Sequence, residues 1–301
     1  MEASPAVKAE TMPPACNDGA ADQAEILQFV EQLGIELSKG TLNLPSFPDA
    51  VICIRKVLSD RNATTARVAQ VVQAEPVFTA KLFRMANSVM LKRGEDPVTD
   101  LKAVINRIGF VQIKNIAVAL ATRQMMNSKQ YTGITPVLRE LWEHSIETAA
   151  IAFVLARDSG CVSPDDALLA GLIHDIGVYY IYSRMSAHPG LFENHSAVAD
   201  VVLDWHTGIG HAILEDWDFP PAVVEAIDEH ETHDRTHVGH ADLTDVVTVA
   251  NLLAHWGLPT QKAVNLADVP ALERLNLTPE SALQKISDSH ADIDAAKQAL
   301  A

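Results

Sequence analysis

The sequence predicts an all-α fold, and three observations carry the prediction. Apolar residues recur at three- and four-residue spacing in segment after segment. No stretch alternates with period two for long enough to require a strand, and several helical segments open on a capping residue. At 301 residues, 48% of them hydrophobic, the chain can bury a sizeable core and is too apolar to be disordered. The expected layout is two helical lobes, over about 44–130 and 135–240. A disordered tail (1–21) and a helix with linker (22–43) precede them, and C-terminal helices with an extension (241–301) follow.

Each element has its own local reason. The tail is rich in Ala, Pro and small polar residues and lacks periodicity. A first helix is expected over about 22–39, where Ile26, Phe29, Val30, Leu33 and Leu37 share a face, with Gly40 as its stop. Leu44, Pro45, Ser46, Phe47 and Pro48 read as an extended, proline-stiffened entry. Val51, Ile54, Val57 and Leu58 form the next apolar stripe. Thr64 or Thr65 caps a helix over 66–74, and Pro76 opens one over 77–87. Thr99 or Asp100 caps 101–108, which Gly109 ends, and 110–126 is apolar enough to be buried. A long helix over 137–158 carries Trp142 and His144. Ser163, Pro164, Asp165 and Asp166 then combine a cap, a first-turn proline and acids at the positive end of the helix dipole. The helix they start is expected to run through Leu172 and Ile173 into His174 and Asp175. Further helices are expected over 198–216, 221–230 and 242–256.

Charge excludes some functions. With 23 basic and 39 acidic residues the net charge is -16, which argues against a general binder of nucleic-acid backbone. Basic residues outnumber acids between Lys81 and Lys129, whereas Met185 to Asp234 contains no Lys or Arg. That acidic stretch reads as a solvated face or as a surface for a basic partner. Cys16, Cys53 and Cys161 form no metal or redox motif, and the sparse, odd count suits a reducing compartment. No apolar run reaches the length of a membrane helix, and the N-terminus lacks the basic start and apolar core of a signal peptide. The expected location is therefore the cytoplasm, with no membrane partner. No Gly-rich loop follows a strand, and no Ser or Cys sits in an activated nucleophile motif.

The chemistry-bearing pattern is the adjacent pair His174-Asp175 in an apolar run, with His144 before it and His206 and His230 after it. An imidazole beside a carboxylate in an apolar setting is costly unless the two are paired or metal-bound. This pattern, together with Leu44-Pro45-Ser46-Phe47-Pro48, Asn87-Ser88 and Arg107-Ile108-Gly109, resembles the HDOD domain. That bacterial signalling module is related to the HD and HD-GYP phosphohydrolases. The resemblance spans most of the chain, with the domain expected over 44–240. It implies a helical fold and a regulatory role, catalysis being generally not established for the family.

Carried over residue by residue, the resemblance makes His144, His174 and Asp175 matches to HD-superfamily metal ligands, with His206 and His230 where HD-GYP proteins add further histidines. Imidazoles and a carboxylate suit a divalent transition metal such as Mn, Fe or Zn. The superfamily's later Asp falls at Asn251, or at Asp245 if the register slips. The Gly-Tyr-Pro signature is absent after His230. Asp175 could equally serve as a polar pin, hydrogen-bonded to His144 or His174 between neighbouring helices. Asn87 and Ser88 read as helix-end hydrogen-bonders, Arg107 as a candidate inter-lobe salt bridge and Gly109 as a C-cap. His188, His195, His211, His233, His237 and His240 read as surface or loop residues. The expected function is non-catalytic regulation through contacts with other signalling proteins. The alternatives are a metal-dependent phosphohydrolase of nucleotides or cyclic dinucleotides, with Asp175 catalytic, and a cyclic-dinucleotide sensor without turnover.

Overall fold

A computed structural model describes residues 18–39, 54, 57, 58, 60, 62–87, 97–126, 135–185, 188, 191, 195–217, 219–254 and 264–300. Among them there is no strand, so the all-α expectation holds. The helices run α1 (Asp18–Ser38), α2 (Thr65–Gln73), α3 (Pro76–Ala86), α4 (Leu101–Ile108), α5 (Phe110–Met126), α6 (Thr135–Ser159), α7 (Pro164–Ile173) and α8 (Ile176–Met185). They continue as α9 (His195–Asp216), α10 (Pro221–Glu229), α11 (Leu243–Ala254), α12 (Pro270–Arg274), α13 (Pro279–Asp288) and α14 (His290–Leu300).

Local chemistry explains the ends. Thr64 accepts from Arg67 N, Asp100 from Ala103 N and Ser163 from Asp166 N, so each of these caps satisfies an amide that the helix leaves orphaned. Gly109 takes φ 85°, a conformation a side chain would resist, and so ends α4. Two expected boundaries need correction. α1 begins at Asp18, inside the segment assigned to the disordered tail. The helix through Leu172 does not carry the His-Asp pair in its interior. It ends at Ile173, and α8 starts at Ile176. The carbonyl of Asp175 accepts from Val178 N (2.9 Å) and Tyr179 N (3.3 Å), which makes the pair the hinge between two helices. The entry at 44–48, Val51, Ser88, Cys16, Cys53 and the start of the C-terminal extension lie outside the described residues.

Helices α2, α3, α4 and α5 pack on one another, and α5 also lies against α6 and α7. The long α6 is flanked by α7, α11 and α14, while α9 bridges α8 and α10. Small residues set these approaches. A Cβ on Gly171 of α7 would lie 2.8 Å from Ala149 Cα of α6, and one on Gly177 of α8 would lie 1.9 Å from the His206 carbonyl of α9. Fully buried Ile151, Leu155, Leu172 and Ile173 fill the contact, each stabilising it by roughly 2 kcal/mol. The last helix belongs to this body. Arg157 of α6 pairs with Asp292 of α14 at 2.6 Å, and Lys297 of α14 pairs with Glu147. At the other end, Tyr180 donates to Glu36 of α1 at 2.5 Å, and Arg184 pairs with the same carboxylate.

Candidate metal centre

Close packing of α6, α8, α9 and α10 brings five of the residues picked from the sequence to one point. His144 comes from α6, His174 and Asp175 from the α7–α8 hinge, His206 from α9 and His230 from the end of α10. His174, His206, His230 and Asp175 are buried, and His144 is nearly so. Asp175 sits in the middle and uses its two oxygens separately. Oδ2 lies 3.2 Å from His174 Nε2 and 3.7 Å from His144 Nε2. Oδ1 lies 3.7 Å from His230 Nε2 and 3.8 Å from His206 Nε2.

Three of the histidines are oriented by backbone carbonyls, two of them at helix ends. Nδ1 of His174 sits 2.8 Å from the Gly171 carbonyl, and Nδ1 of His230 sits 2.8 Å from the Ile227 carbonyl. Both carbonyls belong to last turns that lack intrahelical partners. His206 Nδ1 makes the equivalent contact with the Val202 carbonyl, also at 2.8 Å. A carbonyl only accepts, so these three Nδ1 atoms carry the hydrogen, and in the neutral ring Nε2 is then a lone pair. The Nε2 atoms converge. His206 and His230 bring theirs to 3.4 Å, and two lone pairs at that distance repel unless a proton or a cation lies between them. His144 and His174 bring theirs to 3.1 Å, a gap that an N–H of His144 or a cation bridges.

The arrangement therefore fits a divalent cation. Metal–ligand bonds of roughly 2.0–2.2 Å at near-tetrahedral angles place neighbouring ligand atoms roughly 3.3–3.6 Å apart. The observed separations within the triads, from 3.1 to 3.8 Å, bracket that value. Two triads can be drawn, His144/His174/Asp175 and Asp175/His206/His230, sharing the one carboxylate. Fixing a ring through Nδ1, as in three of these four, is how metal-ligating imidazoles are commonly held.

The electrostatics divide the histidines, favouring the neutral ring at His206 and the charged ring at His174. Burial alone would raise the Asp175 carboxyl, but His174, His230 and His144 hold it well below the usual carboxylate range. Burial pulls His206 down, against the pull of Asp175, so this ring favours its neutral, ligating form. His174 also feels the burial penalty, yet Asp175 and the Gly171 carbonyl leave it raised. Tyr179, pushed up by burial, shares its hydroxyl with Ser145 Oγ at 3.3 Å beside the carboxylate.

Glu231 was not picked from the sequence. Its Oε1 lies 3.6 Å from His230 Nε2 and accepts from Asn251 Nδ2 at 2.9 Å, while Oε2 lies 3.4 Å from His233 Nε2. Burial would raise its carboxyl, but His233, His230 and His206 bring it down to about 2. Its position directly after His230 was the only signal available. Asn251 thus reaches the centre through Glu231. Asp245, the other position weighed for a late acid, lies in a separate cluster with His237, Asp242, Arg235 and Arg274.

The other residues singled out make local contacts. Asn87 closes a loop, donating to the Val98 carbonyl at 3.1 Å and accepting from Val98 N at 2.8 Å. Arg107 of α4 donates to the Ala86 carbonyl of α3 at 3.4 Å, tying two neighbouring helices of the N-terminal group. His240 is exposed, whereas His188, His211, His233 and His237 are half-buried and placed near carboxylates. The acidic stretch before Arg235 is partly neutralised by that residue, which pairs with Glu225, Glu229 and Asp242. No helix among the described residues is long and apolar enough to cross a membrane.

Comparison with known proteins gives these features a context. An uncharacterised protein of Treponema pallidum (strain Nichols) is 20% identical over 242 residues, 76% of this chain and 45% of that protein. The chain thus spans just under half the length of this curated relative. A solved structure from Shewanella amazonensis SB2B, provisionally named a metal-dependent phosphohydrolase, has a TM-score of 0.73 at 23% identity, covering 92% of this chain and all of that one. An HDOD domain protein of unknown function from Geobacter sulfurreducens has a TM-score of 0.63 at 18% identity, covering 92% of this chain and 97% of that one. A provisionally named signal transduction protein from Marinobacter aquaeolei VT8 also reaches 0.63 at 19% identity, covering 94% of this chain and 66% of that one. At these identities the structures share the fold. The HDOD domain profile matches residues 44–233, well over half of the sequence, and the chain belongs to the HDOD domain family.

Proposed function

We propose that this chain is a metal-binding HDOD signalling module. It holds divalent transition metal (Mn, Fe or Zn) on His144, His174, Asp175, His206 and His230, and acts on other signalling proteins. The observation that carries the reading is the convergence of imidazole Nε2 atoms on the two oxygens of Asp175, with three rings fixed through Nδ1. A bound divalent ion supplies charge neutralisation and Lewis acidity. The chain's own residues orient the ligands, and α6 to α10 exclude water from all but one edge of the centre. Because the ligands come from five helical ends and faces, holding them together ties α6, α7, α8, α9 and α10 to one another. Metal occupancy then stiffens the surface those helices present to a partner.

The second reading, a metal-dependent phosphohydrolase, draws on one observation. The side chains of Asp175 and His144 are each 12% exposed, so one edge of the centre is open to a small anion. Against it stands Asn251 where the superfamily carries an acid.

Elemental analysis of protein purified without chelator or affinity tag, beside Asp175→Ala, tests the main reading. Stoichiometric metal in the wild type, absent from the variant, is expected. A metal-free wild type that also fails to take up Mn, Fe or Zn on dialysis sinks it. Turnover of a phosphodiester by the loaded wild type and not by the variant would replace the signalling reading with the hydrolase.

A further inference from the structure

We infer that the two halves of the centre are chemically unlike: a divalent ion is taken first by Asp175, His206 and His230, while a shared hydrogen holds His144 and His174 together. This rests on the metal-binding reading above and deepens it.

The distances separate the halves. A hydrogen bond from a ring nitrogen spans about 2.7–3.2 Å. His174 Nε2 stands 3.1 Å from His144 Nε2 and 3.2 Å from Asp175 Oδ2, so both of these contacts have that length. The third pair of that half, His144 Nε2 and Asp175 Oδ2, is wider at 3.7 Å. In the other half all three pairs are wider. His206 Nε2 and His230 Nε2 are 3.4 Å apart, and Asp175 Oδ1 lies 3.8 Å from the first and 3.7 Å from the second. Those gaps are long for a shared hydrogen and close to the spacing of roughly 3.3–3.6 Å between ligands of one ion.

The placement of hydrogens separates them as well. His174 donates Nδ1–H to the Gly171 carbonyl, so in the neutral ring its Nε2 accepts, and His144 Nε2 supplies the hydrogen that closes the 3.1 Å gap. A charged His174 would close the same gap from its own side. His206 and His230 instead spend their ring hydrogens on the Val202 and Ile227 carbonyls, each at 2.8 Å, and turn lone pairs towards each other. Asp175 Oδ1 and Glu231 Oε1, 3.7 and 3.6 Å from His230 Nε2, are acceptors too. Acceptors that face one another in a buried site are costly, and a cation between them removes that cost.

An order of filling follows. An ion between His206 and His230 replaces a repulsion, whereas an ion between His144 and His174 must first displace a hydrogen bond. Asp175 can serve the first site through Oδ1 and keep Oδ2 on His174.

The test is titration of chelator-stripped, full-length protein with Zn2+, followed by calorimetry and by NMR of the histidine ring nitrogens, assigned with single His→Gln variants. In wild type the first equivalent should move the ring nitrogens of His206 and His230 most, and any second, weaker equivalent should move those of His144 and His174. His230→Gln removes a ligand and should weaken the first equivalent by at least about 100-fold, the upper end of what losing an outer-shell partner costs. His144→Gln should keep most of that affinity. Thermal melts of the stripped proteins serve as the folding control, and the wild-type spectra depend on no variant. A first equivalent that moves His144 and His174, or all four rings together, or equal losses in the two variants, would overturn the inference while leaving the five-residue centre standing. A wild type that takes up no Zn2+, Mn2+ or Fe2+ overturns both.

Discussion

Two clusters in this protein satisfy the same spacing rule and are built on opposite principles. Around Asp175, the Nε2 atoms of four imidazoles gather about a buried carboxylate. Around Asp245, which is only 1% exposed, His237 and Asp242 stand at similar distances, yet the positive charge is already in place. Arg274 donates through Nε at 2.9 Å and again through its terminal nitrogen to Asp245, and Arg235 takes both oxygens of Asp242 at 3.1 and 2.9 Å. Ligand atoms within reach of one another are therefore not enough to define a metal site. What neutralises the buried carboxylate decides, and arginine forks and a bound cation are alternative answers. The first cluster leaves that role open, and the second uses it to clamp α12 onto α11.

The largest expected difference between the clusters is in metal content. Asp175→Ala should abolish binding, because its two oxygens serve both triads, whereas Asp245→Ala should retain the full complement. Metal analysis of the two variants side by side would break the comparison if content followed Asp245.

Next comes stability. Arg274→Met removes the fork from a buried carboxylate and should cost about 3 kcal/mol in urea unfolding. The double variant Arg274→Met/Asp245→Asn should recover much of that loss, since no uncompensated charge remains. Equal losses in the single and double variants would mean that the fork contributes packing rather than charge.

Chelation should sharpen the contrast with a smaller effect. A ligand present at a hundred times its dissociation constant stabilises the folded state by about 2.7 kcal/mol. Adding EDTA should therefore lower the melting temperature of wild type and of Arg274→Met by similar amounts and leave Asp175→Ala unmoved.

The smallest effect is in the acid limb. Burial alone would raise the Asp245 carboxyl, but the Arg274 and His237 hydrogen bonds hold it below its ordinary value of 3.8. A carboxylate whose value is lowered on folding adds stability that is complete above its unfolded value. That stability is lost as pH falls through the lowered one. The gap between wild type and Arg274→Met should thus narrow as pH falls below about 4. A gap that stays constant down to pH 2 would contradict the assignment.

Much of this was legible in the primary structure because it is local. Caps at Thr64, Asp100 and Ser163, the stop at Gly109 and the helical periods depend on residues within a turn of one another. The centre was partly legible, since four histidines and an Asp on successive helices form a recognisable order even when their distances are unknown. The break at His174-Asp175 was not. Its flanks, Leu172-Ile173 and Ile176, continue an apolar run with no proline, and Asp175, of a type that caps helices, stands beside a histidine that reads equally well as its partner. Glu231 and Arg274 were hidden for another reason. Charged residues are common on helix ends, and only their partners, Asn251 twenty residues on and Asp245 twenty-nine residues back, reveal a role.

The sequence by itself determined that the chain is helical, that it is an HDOD protein and which histidines to watch, because helix propensity, capping and motif order act at short range. The tertiary structure alone decided that Asp175 faces two pairs of imidazoles, that Glu231 stands beside His230 with Asn251 behind it and that Asp245 belongs to arginines. The physical reason is that a buried carboxylate takes its character from the nearest cation or donor in space. At this centre those neighbours arrive on four different helices, brought within reach by the contact that Gly177 allows between α8 and α9.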